Sequence, residues 1–246
     1  METGESRRSL SGRVAMVTGA SRGIGASIAR TLAESGADVA ILARDHVELE
    51  RVARAIKDTG ARVATIPIDF RVRGSAQEAV ARATSELGPV DILVNNAALQ
   101  LFGPILDFGE EEFRAMVDVN LTTPYALARE VLPSMVSRRQ GWIVSIASDL
   151  AYRVRVGGAA YCSTKRALLA LSEVIQLEHR QDGVRASVIL PGITATTWDG
   201  LPTDHPSKEG HLDPSQIAQA VLWCCTRPDG ARVDIVSLHP AVQDSV

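Results

Sequence analysis

Seven short β-branched runs, separated by longer stretches of helical periodicity, constrain the fold of this chain more than any other feature. The runs fall at residues 14–18, 38–43, 62–68, 92–95, 142–146, 184–190 and 233–236 and read as strands. Helical connections between them imply parallel neighbours, because a parallel pair needs a crossover where an antiparallel pair needs only a hairpin. Stretches such as Ile41-Leu42 and Ile92-Leu93-Val94 are apolar on both faces, as strands are when helices cover both sides of a sheet. The expected fold is α/β, a doubly wound parallel sheet of about seven strands with helices on both faces. Gly36, Gly60, Gly88 and Gly183 punctuate it, each just past a helical stretch where a left-handed cap favours a residue without Cβ. Residues 1–11 read as a flexible N-terminal arm and 12–246 as one domain. Within that domain, the irregular stretch 193–213, rich in Thr, Pro, Gly and His, reads as a lid.

Composition excludes several classes. The 246 residues are 46% hydrophobic with a formal charge of -3, enough apolar material for a sizeable core. The 26 Lys and Arg are balanced by 29 Asp and Glu and spread along the chain, with no basic stripe to meet a nucleic acid. No run is apolar for long enough to span a bilayer, and the first residues have no apolar core of a secretory signal, so a cytoplasmic protein is expected. Cys162, Cys224 and Cys225 cannot make an even disulfide framework, which suits a reducing compartment. The five histidines show no metal-ligand spacing, and no metal is expected.

Directly after the first strand comes Thr18-Gly19-Ala20-Ser21-Arg22-Gly23-Ile24-Gly25, opening an apolar-periodic helix over 24–34. Glycines let the backbone turn tightly and approach a pyrophosphate, while the helix N-terminus presents free N–H groups to it. A glycine loop alone also suits a ligand-free turn. The strand-loop-helix context favours a dinucleotide and a Rossmann-type sheet. After the second strand, where an acidic residue would accept the ribose hydroxyls of NAD, the chain has Arg44-Asp45. Arg44, with Arg22 in the loop, can pair with a 2′-phosphate, so NADP(H) is expected in preference to NAD(H). The plainer alternative leaves both arginines solvated and Asp45 as a helix cap.

Tyr161 and Lys165 stand four apart in a helical pattern, on one face. A cation within about 4–6 Å favours a phenolate and lowers a tyrosine pKa from its usual value of about 10. Such a pair is common by chance. Here it stands with Ser148 at the end of the fifth strand and with Asn95-Asn96-Ala97-Ala98 after the fourth. With the glycine loop, Asn120 and Pro191-Gly192, these ordered motifs make the chain resemble the short-chain dehydrogenase/reductase family over roughly residues 10–240, including its carbonyl reductase and 3-oxoacyl reductase members.

That resemblance implies a catalytic tetrad. Tyr161 would donate the proton, Ser148 hold the substrate oxygen, Lys165 grip the nicotinamide ribose and lower the Tyr161 pKa, and Asn120 anchor a relay water. It also implies a cofactor site built from Gly19, Ser21, Arg22, Gly23, Ile24, Gly25, Arg44, Asp69, Phe70, Asn96, Ala97, Ala98, Tyr161, Lys165, Pro191, Gly192, Thr194 and Thr196. Asp69 would lie by the adenine and Thr196 by the carboxamide. Substrate contacts are expected from Leu99, Leu101, Ser148, Leu150, Tyr152 and Trp198, with Arg153 and Arg155 available to an anionic group. The chain departs from the family pattern at Ala98, at Phe70-Arg71-Val72, at Thr194 and in its C-terminal strand, which lacks the Val-Asp-Gly-Gly ending of fatty-acid reductases. The expected activity is reduction of a ketone to a secondary alcohol, or the reverse, by hydride transfer. Alternatives are a 3-oxoacyl-thioester reductase, a redox-neutral dehydratase or epimerase, and a non-catalytic NADP(H) sensor. Two long helices, over 111–138 and 157–180, are expected to pair copies of the chain into a homodimer or homotetramer.

Overall fold

The computed structural model describes residues 9–197, 200–228 and 230–241. Seven strands form one sheet: β1 (Val14–Thr18), β2 (Asp38–Ala43), β3 (Val63–Pro67), β4 (Ile92–Asn95), β5 (Gly141–Ile146), β6 (Val184–Pro191) and β7 (Ile235–Leu238). Their order is β3-β2-β1-β4-β5-β6-β7 and every pairing is parallel. The helices are α1 (Gly23–Glu34), α2 (His46–Lys57), α3 (Ser75–Leu87), α4 (Glu110–Val117), α5 (Thr123–Ser137), α6 (Ala159–His179) and α7 (Pro214–Cys225). Chain order reverses between β1 and β4. The crevice at the carboxyl ends of those strands is where an open α/β sheet takes its ligand.

Two apolar cores flank the sheet, and β1 to β6 serve both, whereas β7 packs only against the first. Ala15 and Val17 of β1 point to the side packed by Ile28 and Leu32 of α1, Leu49 and Ile56 of α2, and Ile217 and Val221 of α7. Met16 points the other way, with Leu42 and Leu93, toward Ala79 and Ala83 of α3, Leu127 and Val131 of α5, and Ile175 of α6. Period-2 alternation inside a run that is apolar throughout is what a sheet buried on both faces requires. Met16, Ile28, Leu32 and Leu42 are fully buried, each contributing roughly 1.5–3 kcal/mol relative to exposure.

Local chemistry sets the helix ends. Asp45 accepts a hydrogen bond from the Glu48 amide and caps α2. Asp213 and Gln216 form a reciprocal capping box at the start of α7. Gly36, Gly60, Gly88 and Gly183 all have positive φ.

Three expectations are corrected. The first long helix is not continuous α-helix, because a π turn at Asp118–Thr122 separates α4 from α5. The seventh strand lies two residues later than its β-branched run suggests, since pairing of Val188 with Ile235 sets its register. The arm does not extend to residue 11. Leu10 is buried and its amide bonds the Ser35 carbonyl, and only residues 1–8 fall outside the described part of that segment.

Candidate active site

A cleft of about 2480 Å³ opens over the carboxyl ends of the strands. Every residue expected at the cofactor lines it, from Gly19 to Thr196, as do Leu99, Leu101, Ser148, Leu150 and Tyr152 from the expected substrate wall. Trp198 lies outside the described residues. Asn120 does not line the cleft, which corrects its expected place.

The glycine loop leaves no room for side chains where it meets β4. A Cβ on Gly25 would stand 2.3 Å from the Gly19 carbonyl oxygen and 2.5 Å from Asn96 Nδ2. Gly19 has φ +65°, and a Cβ there would meet Ala97 Cα and Asn96 Nδ2 at 2.9 Å. Thr18 and Asn96 fix this contact. The Thr18 hydroxyl accepts from the amides of Asn96 and Ala97, at 2.9 and 3.0 Å, and Asn96 Nδ2 donates to the carbonyls of Thr18 and Gly19. At the start of α1 no side chain caps the helix and its first turn has no acidic residue. The first amides therefore face the cleft under a partial positive charge, a ready anion site. These features fit the pyrophosphate of a dinucleotide.

Arginine dominates the adenosine end. Arg22, Arg44 and Arg71 line the cleft and are exposed. Asp69, expected to lie by the adenine, lines the cleft beside these arginines. Its carboxylate is clamped by Arg71, with Nη2 2.5 Å from Oδ2 and Nε 3.0 Å from both oxygens. The Arg71 hydrogen bonds hold its pKa below the usual carboxylate value, with help from the Arg44 charge.

The reactive end is set by β5 and α6. Ser148 follows β5 and is extended, accepting from the Leu150 amide at 3.2 Å. Its hydroxyl lies within hydrogen-bonding reach of the Asp149 carboxylate, at 3.1 Å, and of the Tyr161 phenol. Tyr161 and Lys165 lie on the first turns of α6, with the lysine Nζ 5.6 Å from the phenol ring centre. Lys165 is 2% exposed and donates to the Ile146 carbonyl at 2.9 Å. Burial pushes the Tyr161 pKa up to about 12, and the Ser148 hydrogen bond only partly opposes it. This corrects the expectation that the neighbouring lysine lowers it. Desolvation outweighs the pair here, and the same burial lowers Lys165 to about 8.

Lys165 gives a pH signature. Its pKa falls from 10.5 to about 8 on folding, so between those values the unfolded chain binds more protons than the folded one. Its contribution to stability therefore rises with pH across that window. Tyr161, raised from 10.0 to about 12, opposes it above pH 10, and the thiols of Cys224 and Cys225, both raised from 9.0 by burial, oppose it from about pH 9. Denaturation at points across this window is expected to show a slope of stability with pH that is more positive in the natural chain than in Lys165→Met. An undiminished slope in the variant would assign it to other groups.

Asn120 sits in the π turn and is 1% exposed. Its carboxamide accepts from the Leu99 amide at 2.7 Å, and donates to the Leu99 carbonyl at 2.9 Å and to Thr164 Oγ1 at 3.1 Å. The side chain thus ties the segment after β4 to α6.

Sequence reasoning missed two further features. Phe102 lines the cleft with its ring 5.6 Å from that of Tyr161, and Arg155 stacks over Phe102 at 4.4 Å. Lys208, also in the lining, is buried and donates to the carbonyls of Thr196 and Leu201. It is the only Lys or Arg in 193–213, a signal too weak to single it out. Parallel bridging of Thr194 with Leu212 closes the base of the same stretch. Among the described residues no cluster of His, Cys, Asp or Glu suits a metal ion, and no helix is long and apolar enough to cross a membrane.

Comparison with known proteins agrees with this geometry. A relative from Staphylococcus saprophyticus, an oxidoreductase, is 36% identical over 94% of this chain and 98% of its own. An alcohol dehydrogenase structure from the archaeon Thermococcus sibiricus, complexed with 5-hydroxy-NADP, superposes with a TM-score of 0.88 at 34% identity, covering 95% of this chain and 99% of that one. A metagenomic short-chain oxidoreductase in complex with NADP gives 0.84 at 34% identity, covering 95% and 100%. The family model for short chain dehydrogenases matches residues 13–204, and the chain belongs to that family of oxidoreductases.

Proposed function

We propose that this protein is an NADP(H)-dependent oxidoreductase that interconverts a ketone and a secondary alcohol, with Tyr161 as its general acid or base. The carrying observation is the Tyr161 phenol, in the same cleft as Ser148, Lys165 and the glycine cradle, with Lys165 Nζ 5.6 Å from its ring centre. NADP- and NADPH-bound structures among the similar proteins support the cofactor.

When bound, NADP(H) supplies or takes up a hydride at its nicotinamide. Gly19, Ser21, Gly23 and Ile24 would hold the pyrophosphate, Arg22 and Arg44 the 2′-phosphate, and Asp69 and Phe70 would flank the adenine. Ala97, Ala98, Pro191, Gly192, Thr194 and Thr196 would border the nicotinamide half. Ser148 donates a hydrogen bond to the substrate oxygen, and Tyr161 gives that oxygen its proton as negative charge develops. A phenol kept protonated by burial is ready as an acid at neutral pH, which favours reduction there. Asn120 acts as a positioning residue by fixing Leu99 and α6. The 193–213 stretch, held by Lys208, acts as a lid over the nicotinamide end.

The substrate wall is apolar, with Leu99, Leu101, Phe102 and Leu150 facing Tyr161 and exposed Val154 at the rim. An apolar ketone suits it. One observation keeps a 3-oxoacyl thioester in view, because Arg155 is exposed on Phe102 and open to an anionic carrier arm. Arg153 is instead paired with Asp149 at 3.5 Å. Exposed Tyr125, Val174 and Leu177 on α5 and α6 support pairing of two copies across those helices.

Consumption of NADPH and NADH against a panel of ketones, diketones and 3-oxoacyl thioesters tests the reading. Replacing both Arg22 and Arg44 with Ala is expected to weaken NADPH binding by at least about tenfold, since charge-assisted bonds of about 1.5–3 kcal/mol are lost. NADH binding should change little. Equal loss for both cofactors would contradict the phosphate assignment.

A further inference from the structure

A second cavity of about 430 Å³ lies at the opposite edge of the sheet. It is bordered by the amino-terminal ends of β5 and β6 and by the C-terminal ends of α5 and α6. Tyr161 and Arg180 are separated along α6 and the turn after it by roughly 28 Å at 1.5 Å per residue, so this cavity is remote from the cofactor cleft.

Its lining is cationic. Arg138, Arg139, Arg180, Arg185 and Arg232 border it, and no carboxylate does among the described residues. Two of these five guanidinium groups already have a carboxylate, Arg138 with Asp91 and Arg232 with Asp234, and Asp182 lies against His179. Arg139 donates to the Gln181 carbonyl, a neutral acceptor that leaves its charge uncompensated. In a chain of formal charge -3, this gathering of guanidinium groups is not a reflection of overall composition.

An unpartnered donor and a helix end lie at the same place. Trp142 lines the cavity, and its indole Nε1 is buried without an acceptor, a donor whose desolvation goes uncompensated. Arg139, at φ +51°, is the only described non-glycine residue with positive φ. Its amide bonds the Val136 carbonyl and that of Gln140 the Met135 carbonyl, so Arg139 is the left-handed cap that ends α5 and presents its side chain at the cavity. The surroundings here are tight, since a Cβ on Gly183 would stand 2.1 Å from the Arg139 carbonyl oxygen.

We infer that this arginine-lined cavity is a second anion site, which binds a small phosphate-bearing metabolite. Planar guanidinium groups match phosphate oxygens in pairs. The volume lies at the low end of ligand pockets, which suits a mono- or diphosphate group. Because β5 and α6 run from this cavity to Ser148 and Tyr161, occupancy at one end is structurally continuous with the catalytic end.

Titration calorimetry of the whole chain with inorganic pyrophosphate, with and without saturating NADPH, tests the site. Saturable binding that persists with NADPH present is expected. In Arg139→Gln/Arg180→Gln, both changes being at exposed positions, pyrophosphate affinity should fall at least about tenfold, or 1.4 kcal/mol, with NADPH affinity unchanged. A thermal melt matching that of the natural chain shows the variant is folded. Absence of saturable binding up to about 10 mM, which means an interaction weaker than ~2.7 kcal/mol, would overturn the site. So would pyrophosphate binding that NADPH abolishes or that the double variant retains. Inorganic phosphate and a nucleoside diphosphate, run in parallel, separate a free anion from a phosphate ester.

Discussion

Tyr161→Phe is expected to lower turnover by about a thousandfold, within the range that a positioned acid or base contributes, while NADPH affinity stays within about twofold of the natural chain. The substitution removes one oxygen from a ring that is 8% exposed and packed near Phe102. Ser148 keeps its contacts to Asp149 and to the Leu150 amide, so the β5–α6 junction has no reason to move. Loss confined to turnover would place the proton on Tyr161. Turnover within tenfold of normal would remove Tyr161 from the chemistry, and lost cofactor affinity would instead make it a binding residue.

Gly25→Ala should be the most damaging single methyl group in the cofactor half. Its Cβ would meet the Gly19 carbonyl at 2.3 Å and Asn96 Nδ2 at 2.5 Å. The Gly19 backbone and an amide side chain already bonded to Thr18 and Gly19 must both yield. Overpacking of this kind costs about 1–3 kcal/mol, and the displaced loop is the one that approaches the pyrophosphate. Denaturant unfolding should show that loss, with NADPH affinity reduced at least about tenfold. Gly60→Ala serves as a comparison, because nothing lies within 4 Å of its Cβ and only the positive φ is penalised. Gly25 lies in α1 without a positive φ, so an effect there no larger than that at Gly60 would mean that the close approach to Gly19 and Asn96 is relieved at little cost.

Much of this was legible in the sequence because it rests on local pattern. Six of the seven strands fall within a residue or so of their apolar runs, and the glycine loop, Arg44, Ser148, Tyr161 and Lys165 all meet in one cleft. What escaped depends on tertiary contact. Val-Asp-Ile-Val at 233–236 is as β-branched as Ile-Val-Ser-Leu at 235–238, and only pairing with β6 chooses between them. The π turn leaves no mark on residue spacing, so the redirection of Asn120 toward Leu99 and Thr164 could not be read from its position. Arg71 was visible as a departure after Asp69, but its clamp on that carboxylate was not. Four-residue spacing brings Lys165 beside Tyr161 without reporting how deeply both are buried, and burial decides the direction of each pKa.

The decisive experiment follows deuterium from C4 of labelled NADPH into the product of the best ketone in the panel. A secondary alcohol with deuterium on its carbinol carbon, and one NADPH oxidised for each alcohol formed, is the expected outcome. Product that forms without the label and without net NADPH oxidation would mean redox-neutral chemistry, and the assignment as a carbonyl-alcohol oxidoreductase would fall.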